Sequence, residues 1–240
     1  FHRFLSYSVP FLVNGDSRRY QLNTKFADVV KVYEFDSQLR SLLLDAIEKI
    51  EISVRTQFIN LSWKYGPHFY LNHKLFRDHR QLNDSIERIQ FQIKSGHDLL
   101  VSEYYHRYND PAMPPVWIAV ELTTIGQLTK LFMNLKHAED KEAVAKRYQI
   151  HYSVLQAIMD NLTLIRNYSA HHTRIWNRHF SFECSLDNQH QLISHALCDG
   201  SRMYSVLVLI TYILKTLGVE QPFYKRLMGL IRSEERRVGK

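Results

Sequence analysis

The chain of 240 residues carries only 8 glycines and 6 prolines, roughly half the ordinary usage of ~7% and ~5%, which argues against an all-β sandwich with a turn every dozen residues. Its 31 Lys and Arg exceed 24 Asp and Glu for a net charge of +7, a balance that attracts polyanions such as nucleic acid but does not specify a fold. Two cysteines, Cys184 and Cys198, in no C-x-x-C pattern exclude a disulfide framework and a four-cysteine zinc site, and suit a reducing cytosol.

In chain order, the first 30 residues read two ways, with Phe11 to Asp16 either a hairpin edge or a loop. A first strong helix starts at Asp36 or Ser37, both good N-cap types. It carries Leu39, Leu43, Ile47, Ile50, Val54 and Leu61 at helical steps and stops before Gly66-Pro67. Within it Glu51 precedes Arg55 by one turn, the favourable order for a structural ion pair. A second helix runs from Arg80 to Lys94 and is closed by Gly96. An aromatic, turn-rich connection follows from Ser102 to Pro115, and Pro115 then opens a helix predicted over Val116 to Leu135. Shorter helical patterns cover Asp140 to Tyr148 and the stretch from Ser153 through the 160s, and a last long one covers Asp199 to Leu217.

The sum is an all-α protein, a single helical-bundle domain over residues 1–232 with extra helices and an irregular N-terminal segment. Residues 233–240 lack apolar periodicity, resemble translated sequencing-adapter sequence, and are expected to form a solvated tail, possible artefact included. Opening on Phe1 rather than Met suggests a missing N-terminal stretch. The apolar run Met203 to Val219 is interrupted by Ser205, Thr211 and Lys215, short of the ~20 apolar residues of a membrane span.

Familiar catalytic patterns are missing. There is no G-x-G-x-x-G, no P-loop, no G-x-S-x-G and no H-E-x-x-H; His190 and His195 are badly spaced for zinc. Glu139, Asp140 and Glu142 read as a solvated helix start, where acids suit the dipole. No metal and no cofactor is expected.

One segment carries chemistry. On a wheel of about 100° per residue with Ile165 at zero, Leu155, Ile158 and Leu162 form a core stripe. Asp160, Thr163, Arg166, Asn167, Ala170, His171 and Arg174 lie opposite, with Arg166 near ~100° and His171 near ~240°. His172 falls on the apolar side, as a core or interface histidine. Cleaving RNA without a metal needs a proton-transfer group and fixed positive charge on the phosphorane. Imidazole, with an ordinary pKa near ~6.5, serves the first, and a guanidinium fork serves the second. Asn167 is placed to orient the imidazole or a ribose hydroxyl.

Arg166-x-x-x-x-His171 matches the R-x-x-x-x-H pattern of the HEPN ribonuclease superfamily, and the longer string from Arg166 to Arg178 resembles the Arg-Asn-x-x-Ala-His-His-x-Arg-x-Trp-Asn-Arg stretch of bacterial Abi-like, abortive-infection proteins. Tyr33 to Arg40 running on to Arg55, and Pro114 to Leu122 with Gly126-Gln127-Leu128, are similar to two further family blocks. The start departs: Ser6-Tyr7-Ser8-Val9 stands where the family tends towards Tyr-Tyr-Arg-Leu. The resemblance implies a HEPN fold and a metal-independent endoribonuclease toxin of phage defence, in abortive infection or a toxin–antitoxin pair. It implies cleavage by 2′-hydroxyl attack to give 2′,3′-cyclic phosphate and 5′-hydroxyl ends. Arg166 and His171 are then catalytic, with Asn167, His172 and Arg174 supporting. The expected partners are RNA, a second copy completing a composite site, and an RNA or protein antitoxin, in the cytoplasm and away from membranes. The alternative is a non-catalytic RNA-binding or protein-interaction module using the same face.

Overall fold

The computed structural model of the protein describes residues 2–13, 16–96, 98–108, 110–180 and 203–238. It is all-α, about 75% helical with one small two-stranded sheet among the described residues. Helix α1 (His2–Ser8) leads through a 3-10 turn into a hairpin of β1 (Leu12–Val13) and β2 (Asp16–Tyr20), in which Leu12 pairs with Tyr20. Of the two readings of that segment, the hairpin is the one observed.

Helix α2 (Phe26–Ile59) begins ten residues before the predicted start at Asp36. The apolar positions were read correctly: Leu39, Leu43, Ile47, Ile50 and Val54 are all at most 2% exposed. Asp36 misled because an acid ahead of an apolar run looks like a cap, whereas it continues the inward stripe. Val29, Asp36, Arg40 and Leu43 are all buried and fall at steps of seven, four and three. After α3 (Ser62–Tyr65), Gly66 ends the segment at φ +88°, a backbone region that favours glycine.

Helix α4 (His79–Ser95) is capped by Asp78, whose side chain accepts the Gln81 N–H, and it closes at Gly96 in the left-handed region, as expected. The connection predicted from Ser102 is instead helical at its start. Asp98 accepts the N–H groups of Leu100 and Val101 and opens α5 (Leu99–Arg107). The single helix predicted over 116–135 is two: α6 (Val116–Ala119) and α7 (Ile125–Asn134). Thr124 and Gln127 form a reciprocal capping box that starts the second afresh. In α7 the missing side chain of Gly126 permits close approach to the next long helix, since a Cβ there would sit 3.0 Å from Thr163 Cγ2.

Helix α8 (Ala138–Ala145) corrects another expectation: Asp140 lies 1% exposed rather than solvated. Its carboxylate accepts Lys64 Nζ and Tyr65 Oη, both at 2.9 Å. Beside it Lys141 is equally buried, donates to the Met133 carbonyl at 2.6 Å, and has its pKa lowered by burial and then by Arg77. Helices α9 (Tyr152–Ala170), α10 (Met203–Leu217) and α11 (Glu220–Val238) complete the described chain. The predicted tail from Ser233 is therefore helical as far as Val238, because α11 continues unbroken past Arg232. Cys184, Cys198, His190, His195 and the predicted helix start at Asp199 lie outside the described residues. No helix searched is long and apolar enough to cross a membrane.

Two compact units are present. One takes its described residues from 1–48, 164–180 and 203–238, with a core that includes Tyr7, Leu43, Ile165, Ile175, Ile210 and Phe223. The other spans 49–163 and packs Phe58, Tyr70, Phe132, Tyr148 and Leu155. In this second unit Glu51 accepts Arg55 at 2.6 Å, as the spacing predicts, and Arg55 also reaches Glu121 and the Thr123 carbonyl.

The first unit holds a buried charge cluster. Asp36 Oδ2 accepts Tyr7 Oη at 2.5 Å and the guanidinium of Arg40, which in turn donates to Tyr7 Oη at 2.8 Å. Burial first, and then the bond to Asp36, hold the Tyr7 phenol well above its ordinary pKa, so it is a donor at any working pH. Removing one member of such a cluster leaves the other charge buried without a partner. Asp36→Ala should therefore cost about 3–5 kcal/mol of stability, read from denaturant midpoints, whereas Lys31→Ala, which opens the exposed Asp28–Lys31 pair, should leave the midpoint nearly unchanged.

Candidate functional site

Helix α9 is amphipathic over its whole length. Leu155, Ile158, Leu162 and Ile165 are buried, at most 2% exposed. Arg166, Asn167, Ala170 and His171 are all exposed, as the wheel places them. The helix stops at Ala170, but His171 N–H still bonds to the Asn167 carbonyl at 3.0 Å, so the histidine stays on the helical path.

The stop itself has a specific geometry. His172 N–H reaches the Ser169 carbonyl at 3.1 Å and Thr173 N–H reaches the Tyr168 carbonyl at 2.8 Å, the paired bonds of a Schellman closure. That closure puts His172 at φ +55°, the position where helices usually place glycine. His172 is accordingly exposed, so of the core and interface roles expected for it the core one is excluded. The wheel failed there because the helical path it assumed ends one residue earlier.

Beyond the closure the chain is tied down residue by residue. The Arg174 guanidinium donates to the Ser6 carbonyl of α1, so this predicted supporting residue makes a structural contact with the N-terminal helix. Asp36 Oδ1 accepts the N–H groups of Ile175 at 3.1 Å and Trp176 at 2.6 Å, and Ile175 is fully buried. Asn177 takes φ +53°. Arg178 returns to the helix, its guanidinium carbon 3.7 Å from the centre of the Tyr168 ring.

Sequence reasoning missed Asp36, Arg40 and Tyr7, which hold this return in place. A usable signal was present: Asp36 stands four residues ahead of Arg40, the order already read as a pair at Glu51 and Arg55.

What remains outward at the end of α9 and just past it is Arg166, Asn167, Ala170, His171 and His172. Among the described residues, the Arg166 and His171 side chains have no hydrogen-bond or ion-pair partner. Residues 161–182 contain no Asp or Glu; the acids nearest this segment among the described residues are Asp160, exposed on α9 two turns earlier, and Asp36, buried against Ile175 and Trp176. Among the described residues no three His, Cys, Asp or Glu side chains gather as a metal could require. The arrangement can bind an anionic oxygen at a planar cation and exchange a proton at an imidazole.

The fold and this helix end define an all-α protein that presents Arg166 and His171 on an outward face. The family model described as Abi-like protein matches residues 1–177, and the chain belongs to that family. The matched span ends at Asn177, so it contains Asp36, the whole of α9 and its return as far as Asn177. Comparison with curated proteins gives no match. Comparison with solved structures gives none either.

The Schellman closure yields a test of its own. Left-handed backbone costs a non-glycine residue about 1–2 kcal/mol. His172→Gly should be neutral or stabilising by up to about 1 kcal/mol, and His172→Val should lower stability by about 1 kcal/mol or more. Both shifts are read from urea titrations of the whole chain.

Proposed function

We propose that the protein is a metal-independent endoribonuclease of the HEPN superfamily, acting as a homodimeric toxin in phage defence. Membership of the Abi-like family suggests abortive infection and is compatible with a nuclease. The single observation that carries the reading is that Arg166 and His171 are exposed and have no partner among the described residues, while Arg174, Ile175, Trp176 and Arg178 just beyond them are occupied in holding the fold.

In this reading the 2′-oxygen of one nucleotide attacks the adjacent phosphorus and the bond to the 5′-oxygen breaks. The proton leaves the 2′-hydroxyl and a proton reaches the departing 5′-oxygen, giving a 2′,3′-cyclic phosphate and a 5′-hydroxyl. His171 serves as the proton-transfer group. Arg166 stabilises the charge that builds on the non-bridging oxygens. Asn167, between them on the wheel, positions the imidazole or a ribose hydroxyl.

Arg166 and His171 stand about 140° apart around a straight helix, too far to close on one phosphate. A second copy related by a two-fold axis brings one chain's arginine towards the other's histidine, since such an interface pairs a surface with itself. An RNA or protein antitoxin is expected to mask this face, and the same exposure suits a cytoplasmic protein working on RNA.

Arg166→Ala and His171→Ala should each abolish RNA cleavage and growth toxicity with an unchanged far-UV spectrum, because both side chains lie off the buried stripe. Full cleavage by purified His171→Ala protein ends the assignment. Cleavage by the native protein should persist in excess chelator, and loss with rescue by a divalent ion would point to two-metal chemistry instead. If the same face only binds RNA or a protein, end-group analysis finds no cyclic phosphate.

Dimerisation is checked separately. Sedimentation should find a dimer at assay concentration, and mixing Arg166→Ala with His171→Ala chains should restore activity if each site draws its pair from both chains. A fully active monomer rules the composite site out.

A further inference from the structure

Arg178 is the cation of the return segment whose guanidinium sits over an aromatic ring. Its carbon is 3.7 Å from the centre of Tyr168, the separation of a stacked contact, and Nη1 lies 3.4 Å from the Arg174 carbonyl. The side chain is half-buried, and these two contacts orient it before any ligand arrives. Among the described residues it has no carboxylate partner. A purely structural cover for Tyr168 needs no charge. A neutral side chain of similar size protects the ring without leaving an uncompensated cation in a segment that contains no acid.

Position adds to this. Tyr168 and His171 are three residues apart, and the His171 N–H bond to Asn167 keeps both on one helical path, so their Cβ atoms are neighbours at roughly 5–6 Å. On the wheel Tyr168 falls at ~300°, beside His171 and on the flank away from Arg166. Nucleotide bases stack on arginine planes and on aromatic rings alike, with little dependence on sequence. A fixed plane also spares the ordering cost that a free arginine meets on binding.

We infer that the Tyr168–Arg178 stack is a base-binding subsite beside His171, where the guanidinium receives an unpaired base one nucleotide from the scissile phosphate; this rests on the ribonuclease reading of Arg166 and His171. The phenol ring backs the cation, and the cation faces the base. Arg178 holds substrate and takes no part in proton transfer.

The test uses the full chain and a fluorescein-labelled single-stranded RNA whose cleavage position is first mapped with the native protein. The same RNA is then made with a 2′-deoxy nucleotide at that position, which blocks cleavage, and with an abasic residue scanned along its neighbours. One abasic position should weaken binding of the native protein roughly 5- to 150-fold, the range of a single base stack. Arg178→Lys, which keeps the charge and loses the plane, should bind the intact RNA as weakly as the native protein binds that abasic RNA, and should be indifferent to the abasic change. Thermal melting verifies that the variant is folded. An abasic penalty of equal size in Arg178→Lys overturns the subsite, as does a native protein that shows no abasic-sensitive position. In either case cleavage by the native protein still stands. A native protein that neither cleaves nor binds RNA sinks the underlying reading first, and the subsite with it.

Discussion

Asp36 is the constraint on which the first unit depends. Its two oxygens serve different masters: Oδ2 binds Tyr7 and Arg40, and Oδ1 receives the backbone of Ile175 and Trp176. One buried carboxylate thus connects α1, the interior of α2 and the segment that returns after α9. A buried ion pair is weak evidence for stability, because apolar replacements of the same shape often do as well. Its effect here is on geometry. Two adjacent N–H groups aimed at one oxygen leave the return segment a single path, and an apolar residue at position 36 would supply no acceptor for either. The Arg174 bond to the Ser6 carbonyl fixes the same segment from the other side.

That path determines what α9 offers. With Ile175 buried and Arg178 folded back on Tyr168, the chain must reverse within a few residues of Ala170. The Schellman closure at His172 makes the reversal possible. Because the closure comes after His171, the histidine keeps its helical position and its relation to Arg166 and Asn167. Had the helix run further, His172 would have turned towards the core, and the outward face would have continued into Arg174.

Much of this was legible in the sequence. The stripes of α2, α4 and α9 follow from apolar spacing alone, because burial of those faces is what makes the helices form. Gly96 and the Glu51–Arg55 pair were equally direct. The failures share a cause: they involve polar groups used internally. Asp36 looked like a cap because sequence spacing cannot distinguish a carboxylate awaiting helix N–H groups from one awaiting a distant backbone. Asp140 looked solvated for the same reason, since its partners Lys64 and Tyr65 lie some 75 positions away in the chain. The break at Thr124 is marked by a Thr-x-x-Gln box, a local signal that the continuous hydrophobicity on either side hides. At α9 the exposed residues were placed correctly up to His171, where periodicity still applied, and misplaced at His172, where a backbone reversal took over.

The same few residues that end the periodicity also concentrate the local costs of the fold. His172 adopts positive φ without being glycine, at about 1–2 kcal/mol of backbone preference, and Asn177 does so at the smaller cost that asparagine meets there. Between and around them stand cations, and the carboxylate that reaches this segment, Asp36, is already shared with Arg40. Glycine at either position and an acid nearby would satisfy the local rules better, so stability alone does not explain this composition. Departures of this kind gather where a surface must meet something other than water. An anionic ligand at the α9 end would supply the charge that the chain omits. The positive-φ residues then read as part of a reversal held by Asp36, which leaves Arg166, Asn167 and His171 outward.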